Sequence, residues 1–176
     1  MIPTIAVSDT VLVDELSYRL HPPRFGDIAV FVPPVPSFGT PFIKRVVGVP
    51  GDTIRIKDGV LYRNGVAVAE PYVNEPPRYD LSIEHDTIVV NGRALSPASA
   101  DIPPPRMWQA PNRIPAGFYL VLGDNRNYSY DSHLWGFAQF RGDFVSGALA
   151  DKHAKAHFIG RAVMVLWPPG HFGVLH

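Results

Sequence analysis

Cysteine is absent from this sequence of 176 residues. Its absence excludes disulfide frameworks, thiol nucleophiles and thiolate metal sites. The sequence also lacks any apolar run near the length of about 20 residues that a transmembrane helix requires. An excess of one charge sign is missing too, because 16 basic residues balance 16 acidic ones and no basic block stands out. Nucleic-acid binding therefore has no electrostatic support and is not predicted.

Proline and glycine are unusually frequent. The chain has 19 Pro and 15 Gly, and so many turn-forming residues favour short strands over long helices. Because 46% of the residues are hydrophobic, the chain can bury a core and is not a disordered tail. Its length fits one substantial domain, or a core that carries a smaller inserted subdomain.

Runs of β-branched and aromatic residues between polar, Pro or Gly residues predict short strands. The dipeptides Asp58-Gly59 and Asn64-Gly65 tolerate the positive φ angles of two-residue turns, so they predict two successive hairpins. Residues 163–167 are interpreted as a core strand, although Trp167 would also suit a lipid interface. The predicted strands are 10–14, 27–31, 42–49, 53–56, 60–62, 66–68, 87–90, 118–122 and 161–167.

Residues 147–158 interrupt the strand pattern. They are rich in Ala, Leu and Lys and contain no Pro, which predicts a single short helix. His153 and His157 are four residues apart and could share a helix face, as paired metal ligands do. No third ligand is evident, so an exposed polar helix face is the favoured interpretation and no metal is predicted.

Four segments of the sequence form an ordered set of motifs. They are Met1-Ile2-Pro3-Thr4, Gly-Asp-Ile-Ala-Val-Phe at 26–31, Ile-Lys-Arg-Val-Val-Gly-Val-Pro-Gly-Asp at 43–52, and Gly-Asp-Asn-Arg-Asn-Tyr-Ser-Tyr-Asp-Ser-His-Leu-Trp-Gly at 123–136. In this order they resemble the conserved boxes of the type I signal peptidase family. The match extends over most of residues 1–68 and 113–138, and again over 159–168. One box alone would be a weak signal, but four in order are specific.

The first box of that family reads Ser-Met-x-Pro-Thr, and its serine attacks the scissile carbonyl. Here the box begins at Met1, so the resemblance implies a nucleophile immediately before Met1 that this chain lacks. Either the coding sequence was started at the box methionine or the protein is a serine-less relative. The first is favoured because the other boxes are kept. We therefore expect the chain as given to fold but not to cleave, since the family's oxyanion hole also uses groups at that serine.

Lys44 lies in the predicted strand of residues 42–49, where Phe42, Ile43, Val46 and Val47 surround it and make both faces apolar. Burial disfavours the ammonium form, lowers the pKa of a lysine and so produces an amine that can take a proton from serine. The alternative from the strand alone is a lysine that reaches the surface from a sheet edge. The resemblance implies that Lys44 is the general base and that Ser129 hydrogen-bonds it.

The resemblance also implies a structural polar cluster beside the site, formed by Asp124, Arg126, Asp131 and Ser132. It further implies two shallow pockets for small residues, which select Ala-x-Ala before the cut. Those pockets would be lined by Met1, Ile5, Val11, Val30, Phe42 and Ile43.

Two positions depart from the family pattern. Asn127 stands where the family usually has an acid, and His133 where it usually has an arginine. A salt bridge from His133 to Asp131 would require a protonated imidazole, which is not expected at neutral pH. A third departure is the 20 residues between Ala138 and Ile159, where the family has only a few; we expect an inserted surface excursion.

The predicted fold is mostly antiparallel β, a coiled and partly barrel-like sheet with one short helix. Residues 1–54 and 113–176 would form the catalytic core, and residues 55–112 an inserted β subdomain. The resemblance implies a serine endopeptidase that removes signal peptides from exported preproteins at a lipid bilayer surface, without a cofactor. The full-length protein would carry a membrane anchor, with its catalytic domain on the extracytoplasmic face, whereas this fragment is expected to be soluble.

Two alternatives remain open at this point. One is a dedicated-substrate peptidase of the same superfamily, of the conjugative-transfer type, which would share the Ser/Lys chemistry. The other is a non-catalytic β module that binds peptides after losing its serine. The codons before Met1 discriminate between enzyme and binder, because a serine preceded by an apolar span favours the enzyme.

Overall fold

The computed structural model describes residues 1–33, 35, 40–95, 112–140 and 158–176. Strands dominate this part of the chain, which confirms the mostly β prediction. The strands in chain order are β1 (Thr10–Asp14), β2 (Ile28–Phe31), β3 (Phe42–Gly48), β4 (Ile54–Lys57), β5 (Val60–Arg63), β6 (Val66–Ala67), β7 (Leu81–Glu84), β8 (Thr87–Val90), β9 (Arg93–Ala94), β10 (Phe118–Leu122), β11 (Ala138–Gln139), β12 (Phe158–Trp167) and β13 (Gly173–Val174).

The described strands form two antiparallel sheets, and neither closes into a barrel. Seven strands make the larger sheet in the order β1-β12-β2-β3-β10-β11, with β13 paired to β12. Six make the smaller sheet in the order β6-β5-β4-β7-β8-β9. Strands β2 and β10 are buried throughout, as their uninterrupted apolar sequences require.

The smaller sheet is a series of hairpins with one buried face. In β4, Ile54 and Ile56 are buried and Arg55 is exposed, the alternation expected of a half-buried strand. Its turns contain Asp58-Gly59, Asn64-Gly65 and Asn91-Gly92, all with positive φ. The two hairpins predicted from the first two dipeptides are therefore confirmed.

The helices are short and lie where no helix was predicted. They are α1 (Ser17–Leu20) and α2 (Ser132–Trp135), and a 3₁₀ turn occupies Arg126–Tyr128. Asp131 caps α2, because its side chain accepts a hydrogen bond from the His133 backbone N–H. The helix predicted at 147–158 lies outside the described residues except for Phe158, which begins β12. The expected surface excursion also falls almost entirely outside them.

Three apolar clusters fill the molecule. One packs Ile56, Leu81 and Ile88 of the smaller sheet against β10. A second is rich in aromatic residues, including Phe31 and Trp135. The third lies under the N-terminal segment and contains Ile5, Ile28, Val30 and Ala162. No helix within the described ranges is long and apolar enough to cross a membrane.

The two sheets use separate parts of the sequence. The larger sheet takes its strands from residues 10–48 and 118–174, and the smaller sheet from residues 54–94. We therefore propose the division into a core of residues 1–54 and 113–176 and an inserted subdomain of residues 55–112, with the boundary at Ile54, where β4 begins.

Candidate active site

Lys44 and Ser129 meet although they are 85 residues apart in the sequence. Lys44 is the third residue of β3, and Ser129 follows the 3₁₀ turn at Arg126–Tyr128 in an extended conformation. The Nζ atom of Lys44 donates a hydrogen bond of 2.9 Å to the Oγ atom of Ser129. Ser129 is buried, so its hydroxyl holds the amine in a defined position.

Gly123 makes room for this contact. A Cβ atom at position 123 would lie 2.2 Å from the Oγ atom and 2.6 Å from the Cβ atom of Ser129. Real Cβ atoms do not approach other atoms so closely, so any larger residue would displace Ser129. The Gly at the start of the fourth box is therefore required by the packing of the serine against the end of β10.

The pKa of Lys44 is lowered, mainly because burial penalises the ammonium form. The negative charges of Asp131 and Asp124 act in the opposite direction. The face of the Phe42 ring, whose centroid lies 5.5 Å from Nζ, also attracts the ammonium and so acts in the same direction as these carboxylates. Lys44 is thus a lysine with a greater neutral fraction at a given pH than an exposed one.

The backbone amine of Met1 lies in the electrostatic range of Lys44. Its pKa is lowered first by burial and then by the positive charge of Lys44. Met1 and Lys44 also line the same pocket. The N-terminal segment is held there by Thr4, whose hydroxyl donates a hydrogen bond to Asp124.

Arg45, the residue after Lys44, holds the site together on the opposite face of β3. Because strand side chains alternate, Arg45 points to the opposite face from Lys44. Its guanidinium makes two hydrogen bonds, of 2.9 and 2.8 Å, to the carboxylate of Asp124, and both side chains are fully buried. Its other side stacks on the ring of Tyr72 at 3.7 Å. A buried carboxylate needs such a paired cation.

Asp131 and Ser132 fix the C-terminal end of the loop that carries Ser129 to the end of β10. One oxygen of Asp131 accepts the Gly123 N–H at 2.9 Å, and the Ser132 hydroxyl accepts the Val121 N–H at 3.0 Å. The second oxygen of Asp131 lies 2.6 Å from Nδ1 of His133. These contacts satisfy backbone groups that would otherwise be buried without partners.

Residues 70–79, which connect β6 to β7, cover the loop that carries Ser129; we refer to them as the strap. Glu70 makes two hydrogen bonds to Arg126, of 2.9 and 2.6 Å. Further along, the Arg78 N–H donates to Asn127 at 2.8 Å, and Tyr79 stacks on His133 at 4.4 Å. The strap therefore connects the smaller sheet to the candidate site.

A pocket of about 360 Å³ opens beside Lys44. Of the six residues predicted to bind substrate, Met1, Ile5, Phe42 and Ile43 line it. The other two, Val11 and Val30, belong to the apolar cluster with Ile5 and Ile43 and are absent from the lining. The remaining lining residues are Ile2, Ala6, Val7, Pro41, Lys44 and Tyr130.

Several residues of the site were not identified from the sequence. Tyr130 could have been noticed, because it follows Ser129 directly in the fourth box. Arg45 had no signal of its own, because only the structure shows that Asp124 is buried and so requires a cation. Glu70, Tyr72 and Tyr79 of the strap had none, because only the tertiary structure brings them to the loop.

Metal binding finds no support in the described part of the chain, where no group of three or more His, Asp or Glu side chains could hold an ion. His153 and His157 lie outside the described residues.

A family model described as "Signal peptidase, peptidase S26" matches residues 1–167 of the sequence. The chain belongs to the type I signal peptidase family. The polar cluster, the half-buried lysine and the pocket described above are therefore features of a member of a peptidase family.

Curated members of the signal peptidase family match nearly all of this chain. Signal peptidase I of Leptolyngbya laminosa is 35% identical over 99% of this chain and 68% of its own length. Probable signal peptidase I-1 of Synechocystis sp. is 34% identical over 99% of this chain and 70% of its own length. Thylakoidal processing peptidase 1, chloroplastic, of Arabidopsis thaliana is 30% identical over 96% of this chain, which spans 40% of that protein.

Among solved structures, signal peptidase I of Enterococcus faecalis V583 has 30% sequence identity and a TM-score of 0.45, covering 68% of this chain and 91% of that one.

In this signal peptidase family member, both departures from the usual loop pattern contact the strap. The amide of Asn127 accepts the Arg78 N–H and donates to the Pro76 carbonyl at 3.1 Å. His133 lies between the Tyr79 ring and Asp131. A neutral amide can make both bonds to the backbone, whereas a carboxylate could only accept.

Proposed function

We propose that the chain is the catalytic part of a signal peptidase that cuts preproteins with a Ser/Lys pair. The hydrogen bond of 2.9 Å between Lys44 Nζ and Ser129 Oγ carries this proposal. It lies beside a pocket, and burial lowers the pKa of the lysine. A desolvated amine that is held by a hydroxyl is the arrangement that a lysine general base needs.

In the proposed mechanism the nucleophile is a serine directly before Met1. The pocket that Met1 and Lys44 line together supports this position, because a residue joined to the Met1 nitrogen would lie at the same pocket as Lys44. Neutral Lys44 takes the hydroxyl proton while the serine oxygen attacks the scissile carbonyl. The resulting ammonium then protonates the leaving amine, and Lys44 activates water to hydrolyse the acyl-enzyme.

The proposed substrates are signal peptides with small residues at the first and third positions before the cut. The pocket of about 360 Å³ supports this assignment, because Met1, Ile5, Phe42 and Ile43 give it an apolar lining. Val11 and Val30 would shape the pocket from the cluster that they share with Ile5. An apolar pocket discriminates small from large side chains by exclusion.

We further propose that the enzyme works at a lipid bilayer surface, on the extracytoplasmic face and with an anchor in the full-length protein. An exposed apolar face at the β1–β12–β13 edge supports the lipid contact. Met164 pairs with both Leu12 and Val174, and Leu166 is two residues further along β12, so these side chains share one side of the sheet. Leu12, Leu166 and Val174 are exposed on that side. Trp167, which ends β12 and by alternation points to the other side, and Phe172, which follows the next turn, are also exposed at this edge.

The test uses a version of the protein that is extended at its N-terminus so that a serine precedes Met1. Its substrate is a preprotein with alanine at the first and third positions before the cut, and cleavage is measured. Lys44→Ala is expected to abolish cleavage. Lys57→Ala is the matched control, because Lys57 is half-exposed and pairs with Asp80 on the smaller sheet. Cleavage that survives Lys44→Ala would reject the proposed base, and a folded extended protein that cuts nothing would favour a dedicated-substrate relative or a peptide-binding module.

A further inference from the structure

Asp131 is the charged group that connects His133 to the candidate site. Its carboxylate is fully buried and holds the N–H of Gly123, the residue against which Ser129 packs. Its negative charge raises the pKa of Lys44 against the stronger effect of burial. Any group that changes the effective charge of Asp131 therefore changes how strongly the site favours the ammonium form of Lys44 over the neutral amine.

His133 is held against Asp131 in one orientation. Its ring stacks on Tyr79 with a centroid distance of 4.4 Å and an interplanar angle of 8°. Nδ1 lies 2.6 Å from the Asp131 carboxylate. A neutral imidazole with its proton on Nδ1 and a doubly protonated imidazolium can both donate this hydrogen bond. The contact is therefore compatible with either charge on His133.

The other charged groups nearby already have partners. Asp124 is paired with Arg45. Arg126 is paired with Glu70, and its positive charge also acts on the Tyr79 hydroxyl. Within the described ranges, His133 is the only basic side chain within ion-pair distance of Asp131. The charge on residue 133 thus decides whether Asp131 is compensated.

We propose that His133 is a positioning residue that sets, through Asp131, how strongly the site favours the charged form of Lys44. A neutral His133 leaves the Asp131 charge uncompensated, which supports the ammonium. A positive charge at position 133 offsets it, which favours the neutral amine. The consequence for catalysis rests on the proposed role of Lys44 as the base, whereas the electrostatic coupling does not.

The coupling can be measured without any cleavage by an NMR titration of lysines labelled at the ε-carbon. The chain has only four lysines, and Lys44→Met assigns the signal. His133→Arg is expected to move the Lys44 midpoint to lower pH, and His133→Asn, which keeps a neutral donor, is expected to leave it near wild type. His133→Lys is a second charged variant in case the arginine prevents folding.

His171→Arg is the matched control, because His171 also contacts an aspartate, Asp9, at 2.9 Å. It is expected to leave the Lys44 midpoint unchanged. Equal midpoints in wild type and in both charged His133 variants would overturn the proposal. So would a shift that His171→Arg reproduces, because it would then reflect net charge.

The same variants in a serine-containing protein test the consequence for catalysis. The acid limb of kcat/KM against pH is expected to move to lower pH in His133→Arg, in parallel with the titration, and to stay in place in His133→Asn. A titration shift without cleavage in any variant would reject the proposed function and leave the coupling standing. If the acid limb of kcat/KM stays fixed while the titration midpoint of Lys44 moves, Lys44 is not the group whose ionisation sets that limb.

Discussion

Burial and neighbouring charge act in opposite directions on the proton of Lys44. Burial is the larger effect and lowers its pKa, while Asp131 and Asp124 oppose it. The folded protein is therefore less stable at any pH where Lys44 must be charged. Such a cost is expected where a group is arranged for chemistry instead of stability.

Lys44→Met should separate the contribution of Lys44 to catalysis from its effect on stability. In a serine-containing protein we expect activity to fall by about 10²–10⁴-fold, the usual contribution of a general base. Stability should rise at neutral pH, because a partly desolvated charge is gone. Since the folded pKa lies below the unfolded one, the unfolded state binds more protons between the two values, and wild type gains stability as the pH rises through that window. The advantage of Lys44→Met should therefore shrink towards about pH 10.

Urea unfolding between pH 6 and 10 measures this trend. Lys57→Met is the control, because the hydrogen bond with Asp80 raises the pKa of Lys57 instead of lowering it. An advantage of Lys44→Met that grows with pH would contradict the assignment of Lys44 as a lysine with a lowered pKa.

Gly123→Ala should disrupt the contact between Lys44 and Ser129, because the added Cβ atom would overlap the Ser129 side chain. A misplacement of about 1 Å can cost about 100-fold in rate, so we expect a loss of that order in kcat with a smaller change in KM. Gly170→Ala is the control, since a Cβ atom there meets nothing within 4 Å. Similar kinetics for both variants would mean that Ser129 does not position the base.

At the scale of elements, the strap is the part that joins the smaller sheet to the loop of Ser129. Its strongest contact is the Glu70–Arg126 ion pair, in which the Arg126 side chain is 0% and the Glu70 side chain 9% exposed. The pair replaces water around a guanidinium that has no access to solvent. Loss of one partner would leave a buried charge without compensation.

Glu70→Gln should consequently destabilise the protein by about 3–5 kcal/mol, the usual cost of breaking a buried pair. Glu75→Gln in the same strap should cost less than about 1 kcal/mol, because its pair with Arg78 is exposed. Chemical unfolding of both variants measures the difference. Equal effects would show that the strap does not hold the loop through Arg126.

The elements predicted correctly are those with local signals. The strand at 118–122 and the first two hairpins follow from residue type and from Asp-Gly and Asn-Gly turns, which act within a few residues. Strand β7 was not predicted although Leu81 and Ile83 are buried, because it has only two apolar residues and is followed by His85-Asp86 instead of an Asp-Gly or Asn-Gly turn. Helices α1 and α2 have four residues each, and such single turns depend on tertiary packing.

The candidate site was predicted only as far as the family resemblance extends. Lys44 and Ser129 were named from the boxes, and the structure brings them to 2.9 Å. The pairing of Arg45 with Asp124 and the contacts of the strap join residues 49–79 positions apart. Such distances leave no mark on local composition, so they could not be inferred from one sequence.

For the whole molecule, the site lies where contributions from both sheets meet. Lys44 and Arg45 come from β3 of the larger sheet, and the strap comes from a connection within the smaller sheet. The pocket and the exposed apolar face both involve the N-terminal part of the chain. The proposed enzyme would thus receive its substrate close to the membrane surface.

Removal of Trp167 and Phe172 should weaken binding to vesicles of zwitterionic lipid. Both side chains are about 60% exposed, and burial of an aromatic side chain contributes about 1.5–3 kcal/mol, so we expect the double alanine variant to bind at least about tenfold more weakly. Because the net charge is +0, added salt should have little effect. Vesicle sedimentation measures this, with Val66→Ala on the smaller sheet as control. Unchanged binding would reject Trp167 and Phe172 as lipid contacts.

The proposed roles of Lys44 as general base and of a serine directly before Met1 as nucleophile can be tested together. Cleavage is compared between the chain as given and two versions with an upstream extension that ends in serine or in alanine. Mass spectrometry of a peptide containing Ala-x-Ala would locate the cut. We expect cleavage after the second alanine by the serine version alone. Cleavage by the chain as given or by the alanine version would reject the proposed nucleophile, and a folded serine version that leaves the peptide intact would reject the proposed function.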